Sequence, residues 1–176
     1  MLKDFQKLHD FVNKLHDELG RYRIEFCLSP NLILRDDFGI TTLAWESIKY
    51  GEDKIENIPD DKRGIYAFAI CRDNHALFPT HGYIVYIGIA GRKSQRSIRA
   101  RYKDYLNEKK IMKRPHIANM IGNWNQVLRF FYAPIDDTVT SEELETLEKN
   151  LNVALLPPFS KGDLEAEIKQ MLGAFK

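Results

Sequence analysis

The stretch GIYAFAICRDNHALFPTHGYIVYIG, residues 64–88, decides how this chain is read. Gly64-Ile65-Tyr66 opens one apolar run and Tyr86-Ile87-Gly88 closes another, so that each run carries a tyrosine beside a glycine in near mirror image. Aromatic and β-branched residues suit a pleated, half-buried surface, and both runs are predicted as strands, about 65–71 and 83–88. Period-two alternation puts Tyr66, Phe68 and Ile70 on one face of the first strand, and Tyr86 with Ile84 on one face of the second. The linker between them carries Pro79 and Gly82, is long for a hairpin, and is expected to project.

The rest of the chain sets the limits within which those strands are interpreted. Its 176 residues suit one domain able to bury a substantial core, and 44% hydrophobic with 29% charged residues is the composition of a water-soluble globular protein. No apolar run approaches the roughly 18 residues of a membrane span. The first nineteen residues are polar every few positions, unlike a secretory signal, so no membrane partner and a cytoplasmic location are expected. Two cysteines, Cys27 and Cys71, exclude a disulfide framework or a four-cysteine zinc site and read as buried free thiols in a reducing compartment.

The net charge of +1 hides a segregation. Arg92, Lys93, Arg96, Arg99, Arg101, Lys103, Lys109, Lys110, Lys113 and Arg114 are opposed in their segment only by Asp104 and Glu108. From Asp136 to Glu148 every charge is acidic: Asp136, Asp137, Glu142, Glu143, Glu145 and Glu148. A basic cluster of this kind attracts polyanions by counterion release; the plainer reading is a solvated helix face.

Periodicity places the remaining elements. Residues 1–19 read as an amphipathic helix stopped by Gly20, bearing Leu2, Phe5, Leu8, Val12, Leu15 and Leu19 on one side. YRIEFCLS and NLILRD are strand candidates, ITTLAWESIKYG is readable as strand or short helix, and Pro59-Asp60-Asp61 marks a turn. SIRARYKDYLNEKK reads as a helix with a stripe of Ile98, Tyr102, Tyr105 and Leu106. RPHIANMIGNWN reads as a second, shorter helix, and QVLRFFYAPI as a third strand. The clearest helix is TSEELETLEKNLNVALL, where Thr140 and Glu143 have capping-box spacing and Pro157-Pro158 form the stop. A last helix spans about 163–175. The order from residue 64, β-β-α-α-β-α-α, predicts an α+β fold. Its core is a small antiparallel three-stranded sheet flanked by helices, in a domain of residues 63–176, with residues 1–62 as an N-terminal helix-plus-strand elaboration.

Taken in order, GIY at 64–66, YIG at 86–88, the arginine-bearing SIRARYKDYL and the glutamate in TLEKNLNVALLPPFS resemble the GIY-YIG nuclease superfamily over about residues 63–160. The resemblance implies a GIY-YIG-type sheet and a metal-dependent DNA endonuclease that leaves 5′-phosphate and 3′-hydroxyl ends. Arg101 takes the position of the catalytic arginine and Glu148 that of the metal-binding glutamate. Mg²⁺ is the implied metal, with Mn²⁺ as an alternative. Tyr66 is the candidate general base and Tyr86 the residue that orients water or phosphate, with the two roles exchangeable. The chain departs from the family pattern in a longer gap between the tyrosines, an extended loop IAGRKSQRS, and Ser160 where an asparagine is common.

Elementary chemistry supports the same residues. Phosphodiester hydrolysis needs an activated water, neutralisation of growing negative charge, and a metal to hold oxygens in line. A phenol is a poor base at neutral pH unless nearby cations lower its pKa, a field that Arg99 and Arg101 would supply. Helix geometry puts both arginines at edges of the apolar stripe, and only the family pattern favours Arg101. Glu148 borders the buried stripe, and a carboxylate there needs a cation, either a metal or a partner such as Lys149 or Arg101. The other bases, Arg92, Lys93, Arg96, Arg99, Lys103, Lys109, Lys110, Lys113 and Arg114, are expected on duplex DNA. His75 and His81 read as solvated turn residues, and His9 and His16 as surface or partner-facing. The small size resembles that of restriction enzymes, which pair to cut symmetric sites, so a homodimer joined through the N-terminal helix is a further expectation. Two other classes are a nucleic-acid-binding module of the same fold without catalysis, and an interaction domain in which the tyrosines merely pack.

Overall fold

Four runs rich in β-branched and aromatic residues form strands: β1 (Glu46–Lys49), β2 (Gly64–Cys71), β3 (Gly82–Ala90) and β4 (Leu128–Pro134). In the computed structural model they build one antiparallel sheet in the order β1-β4-β2-β3. The structure describes residues 6–35, 38, 43–51, 54–71, 82–92, 96–160, 164 and 166–173, without the side chains of 6–9, 15–17, 167–168 and 171–172. The expected hairpin tip with His75 and His81, Lys93, and the side chains of His9 and His16 lie outside that description.

The predicted three strands are present, and β1 makes a fourth. It adds to β4 with Glu46 opposite Tyr132, whose hydroxyl donates to Glu46 Oε2 at 2.8 Å. Burial and that carboxylate push the Tyr132 phenol up to about 12. Among the described residues, YRIEFCLS and NLILRD form no strand. Pro30 instead starts the single turn α2 (Pro30–Ile33), and Leu28 and Leu34 stay exposed, with no ladder to join. The segment after α1 (Gln6–Gly20) packs through side chains: Tyr22 meets Trp124 edge-on and Phe26 meets Tyr83. Phe11, Val12 and Leu19 on and at the end of that helix are exposed.

Helices cover both faces of the sheet. Tyr66, Phe68, Val85, Tyr86, Phe130 and Tyr132 pack on one face against α3 (Ile98–Tyr105) and α5 (Pro115–Trp124) through Ile98, Tyr102, Tyr105, Ile117 and Met120. Ile65, Ala67, Ile87, Ile89 and Ala133 pack on the other against Leu144 and Leu147 of α6 (Ser141–Leu155). The predicted capping box of α6 is formed, with Thr140 and Glu143 bonding each other's backbone. The single helix expected over 97–110 breaks in two, because the Asn107 side chain accepts from Lys110 N and starts α4 (Glu108–Met112). Leu106, expected in the apolar stripe, is thereby exposed. The last helix, α7, is described as Ala166–Gly173.

Register accounts for the mirrored glycines. Gly88 stands opposite Tyr66, and a Cβ built on it would lie 2.5 Å from the Tyr66 hydroxyl, so the missing side chain is the space the phenol occupies. A Cβ on Gly64 would lie 2.3 Å from the Ala133 carbonyl oxygen. Both glycines serve close approach. A bulge also corrects one expectation: Phe68 pairs with Tyr86 but Ala69 pairs with Ile84, so Ile84 and Tyr86 face opposite sides. The cysteines are not buried as expected, since Cys27 is exposed on irregular chain and Cys71 is partly covered at the end of β2. No helix among the described residues is long and apolar enough to cross a membrane.

Candidate active site

Tyr66 projects from β2 into the face covered by α3, where it is fully buried. One turn before the end of α3, Arg101 donates from Nε to the Tyr66 hydroxyl at 2.9 Å. The same hydroxyl is 2.8 Å from that of Tyr105, the last residue of α3, and either of the two donates. Tyr86 from β3 completes the group, its ring 6.3 Å from that of Tyr66 and 6.2 Å from that of Tyr105. Three of the four residues singled out from the sequence, Tyr66, Tyr86 and Arg101, therefore meet in one cluster.

Sequence reasoning assigned Tyr105 only to the apolar stripe. Its four-residue spacing from Arg101 is the signal that puts both on one side of α3. Two guanidinium groups lie near its ring, that of Arg101 at 5.6 Å and that of Arg114 at 4.6 Å from the centroid. The ring of His116, in the first turn of α5, lies 6.5 Å from that of Tyr86 at a tilt of 32°.

The electrostatics of Tyr66 differ from expectation. Burial raises its phenol pKa well above the ordinary value, reinforced by Tyr105 and Tyr86, and the lowering by Arg101 does not offset this. Arg99 lends no field there. It donates to the Ile58 and Glu56 carbonyls and pairs with Asp60, fastening the 3₁₀ turn of Ile55–Asn57 instead of facing the phenols. For Arg101, burial works against its charge, but the phenol oxygens of Tyr66 and Tyr105 outweigh it and hold the guanidinium above its usual pKa.

Asp104, the acid embedded in the basic segment, is buried and gathers the surrounding cations. It pairs with Arg96, with Lys110 at 2.6 Å, and with Nη1 of Arg101 at 3.7 Å. Burial favours its neutral form, yet the bonds from Lys110 and Arg96 prevail and hold its carboxyl below the ordinary carboxylate range. Arg96 and Lys110 thus have a carboxylate partner, whereas Lys103, Lys109 and Lys113 extend into solvent with no side-chain ion pair among the described residues.

Glu148 belongs to a different setting. It is 8% exposed on α6, the helix covering the opposite face of the sheet. Its Oε2 accepts from Arg92 Nη2 at 2.9 Å, and Arg92 also approaches Glu145 at 3.4 Å. Its cation in the structure is thus Arg92, in place of the Lys149 or Arg101 that its position suggested. These groups line a cleft of about 360 Å³ with Glu142, Thr146, Lys149 and Leu164. Arg92 lies just past β3, the edge strand that carries Tyr86, so the cleft and the phenol cluster border the same strand from its two faces.

Among the described residues no cluster of three metal-ligating side chains occurs; Mg²⁺ keeps several waters and takes one or two protein carboxylates, and the carboxylate pair in this cleft faces Arg92. Glu148, with Glu145 beside it, would hold the ion. Ser160 is fully buried and binds Ile87 of the YIG run, accepting from its N–H at 2.9 Å and reaching its carbonyl at 3.3 Å. It ties the segment after α6 to β3. Comparison with family models, curated proteins and solved structures finds no match. The likeness to the nuclease superfamily rests on the residues themselves.

Proposed function

We propose that the protein is a metal-dependent DNA endonuclease, which cuts phosphodiester bonds to leave 5′-phosphate and 3′-hydroxyl ends. The observation that carries this reading is the bond from Arg101 Nε to the Tyr66 hydroxyl inside a group of three phenols drawn from two strands and a helix. In hydrolysis, water adds to phosphorus and the P–O3′ bond breaks, with O3′ leaving as a hydroxyl. Arg101, fixed by Tyr66 and Asp104, meets the growing negative charge with a preset guanidinium. Tyr66, neutral at physiological pH, positions that arginine. Tyr86, 6% exposed on the edge strand against none for Tyr66, keeps the role of orienting water or phosphate that the sequence suggested, while the base role suggested for Tyr66 is not retained. Glu148 would hold a divalent ion, which would supply charge neutralisation and an acidified water once the carboxylate exchanged its bond to Arg92, on the face opposite the phenols, for the ion. Lys103, Lys109 and Lys113 hold the DNA backbone without reading sequence.

A second reading, a nucleic-acid-binding module without catalysis, is favoured by one observation: Glu148 is held by Arg92 on the face opposite the phenols. Supercoiled plasmid incubated with protein and Mg²⁺, with and without EDTA, separates the two. Nicking that needs Mg²⁺ and is lost in Glu148→Ala and Arg101→Ala supports the nuclease. A duplex gel shift without nicks under any condition supports the binding module.

A further inference from the structure

The arginines of the basic segment differ in what they hold. Arg92 has Glu148 and Glu145, Arg96 has Asp104, Arg99 has Asp60 and two carbonyls, and Arg101 has Tyr66 and Asp104. Arg114 is the exception. Its Nη2 is buried and has no hydrogen-bond partner, and no carboxylate pairs with it among the described residues. Its guanidinium lies over the ring of Tyr105, a contact with the π face that gives the Nη2 donors no acceptor. A buried donor without an acceptor is costly, and such groups in native proteins call for a ligand or water.

We infer that Arg114 is a second phosphate ligand of the site, gripping a DNA backbone phosphate together with Arg101 beside Tyr105. The two guanidinium groups approach the same ring, at 4.6 and 5.6 Å, and Arg101 is already linked to the phenol cluster. Arg114 stands immediately before α5, whose first turn sets His116 against Tyr86, so this bend borders the cluster at two points. Two planar forks on one oxyanion match phosphate geometry better than point charges do. The three exposed lysines are unlike Arg114, because their ammonium groups are hydrated and need no partner. This assignment rests on the nuclease reading for its substrate, but its test also has a readout independent of cutting.

Duplex affinity is measured by anisotropy of a labelled duplex in EDTA, over a range of salt, alongside thermal midpoints, for wild type, Arg114→Met and Arg114→Lys. The expectation for Arg114→Met is a loss of affinity of about tenfold or more and a salt slope smaller by about one, with the thermal midpoint held or raised because an unmatched donor is gone. Arg114→Lys should recover the slope but not the affinity. Wild-type affinity and slope in Arg114→Met would overturn the inference while leaving the nuclease reading intact. So would a lowered midpoint with unchanged slope, the mark of a prop for Tyr105. If the wild type binds no duplex, the nuclease reading fails, and inorganic phosphate decides Arg114 by itself. Phosphate should then raise the midpoint of wild type but not of Arg114→Met, and equal shifts in both would overturn the assignment.

Discussion

Substituting Gly88 by alanine tests the link between the YIG motif and the position of Tyr66. The added carbon would stand 2.5 Å from the Tyr66 hydroxyl and 2.7 Å from its Cζ. Ordinary carbon contacts need about 3.5–4.0 Å, so the phenol must retreat by roughly 1 Å. It has nowhere easy to go, since the rings of Phe130, Tyr105 and Tyr86 surround it at 5.4, 5.8 and 6.3 Å between centroids. Overpacking of this kind costs about 1–3 kcal/mol, and disturbing the bonds to Arg101 and Tyr105 adds about 1–2 kcal/mol. Together these amount to roughly 2–5 kcal/mol, which lowers the thermal midpoint of a chain this size by about 5–15 °C. Circular dichroism melts read the midpoint, and near-UV tyrosine ellipticity reads the displaced rings. Gly122→Ala is the matched comparison. That glycine sits inside α5 with nothing within 4 Å of a Cβ, and alanine there should stabilise by about 0.5–1 kcal/mol. A Gly88→Ala protein that melts within about 2 °C of wild type with unchanged ellipticity would refute the argument.

Two further outcomes follow from the ion pairs. Asp104→Asn should lower the midpoint at neutral pH, by about 1–3 kcal/mol in stability since its partners are half in solvent. Because the folded-state pKa of Asp104 lies below the ordinary carboxylate range, its contribution is complete above that range and is lost as the pH falls through the folded value; wild-type and Asp104→Asn melts should therefore converge under acid, and a constant gap down the pH scale would count against the pairing. Arg99→Met should cost about 1–3 kcal/mol by leaving the Ile58 and Glu56 carbonyls unpaired, while the salt slope of duplex binding stays at the wild-type value; a reduced slope would return Arg99 to the DNA-contacting set.

What could be read in advance follows from how local each signal is. The strands bearing Tyr66 and Tyr86, the α6 capping box and the burial of Glu148 depend on neighbours within a few residues, and each was legible. β1 was ambiguous because its stability comes from β4, about eighty residues away, with the Tyr132–Glu46 bond as its fastening. The bulge at Val85 breaks the period of two from within, which alternation alone cannot register. Arg99 and Arg101 both border the apolar stripe on a helical wheel, at opposite edges; only tertiary placement gives one the Ile58 carbonyl and the other the Tyr66 phenol. Tyr105 was hidden for the converse reason, since a tyrosine in an apolar stripe looks the same whether or not its hydroxyl has a partner. The partnering of Glu148 by Arg92 joins residues on either side of the arginine helix, and no spacing rule couples them.

The most direct test of phosphodiester hydrolysis by the phenol–arginine cluster is the chemistry of the DNA ends. Plasmid treated with wild-type protein and Mg²⁺ should carry 5′-phosphate and 3′-hydroxyl termini that DNA ligase reseals, and Arg101→Ala should yield none. Plasmid left intact by the wild type, ends that ligase cannot join, or undiminished cutting by Arg101→Ala would contradict the account.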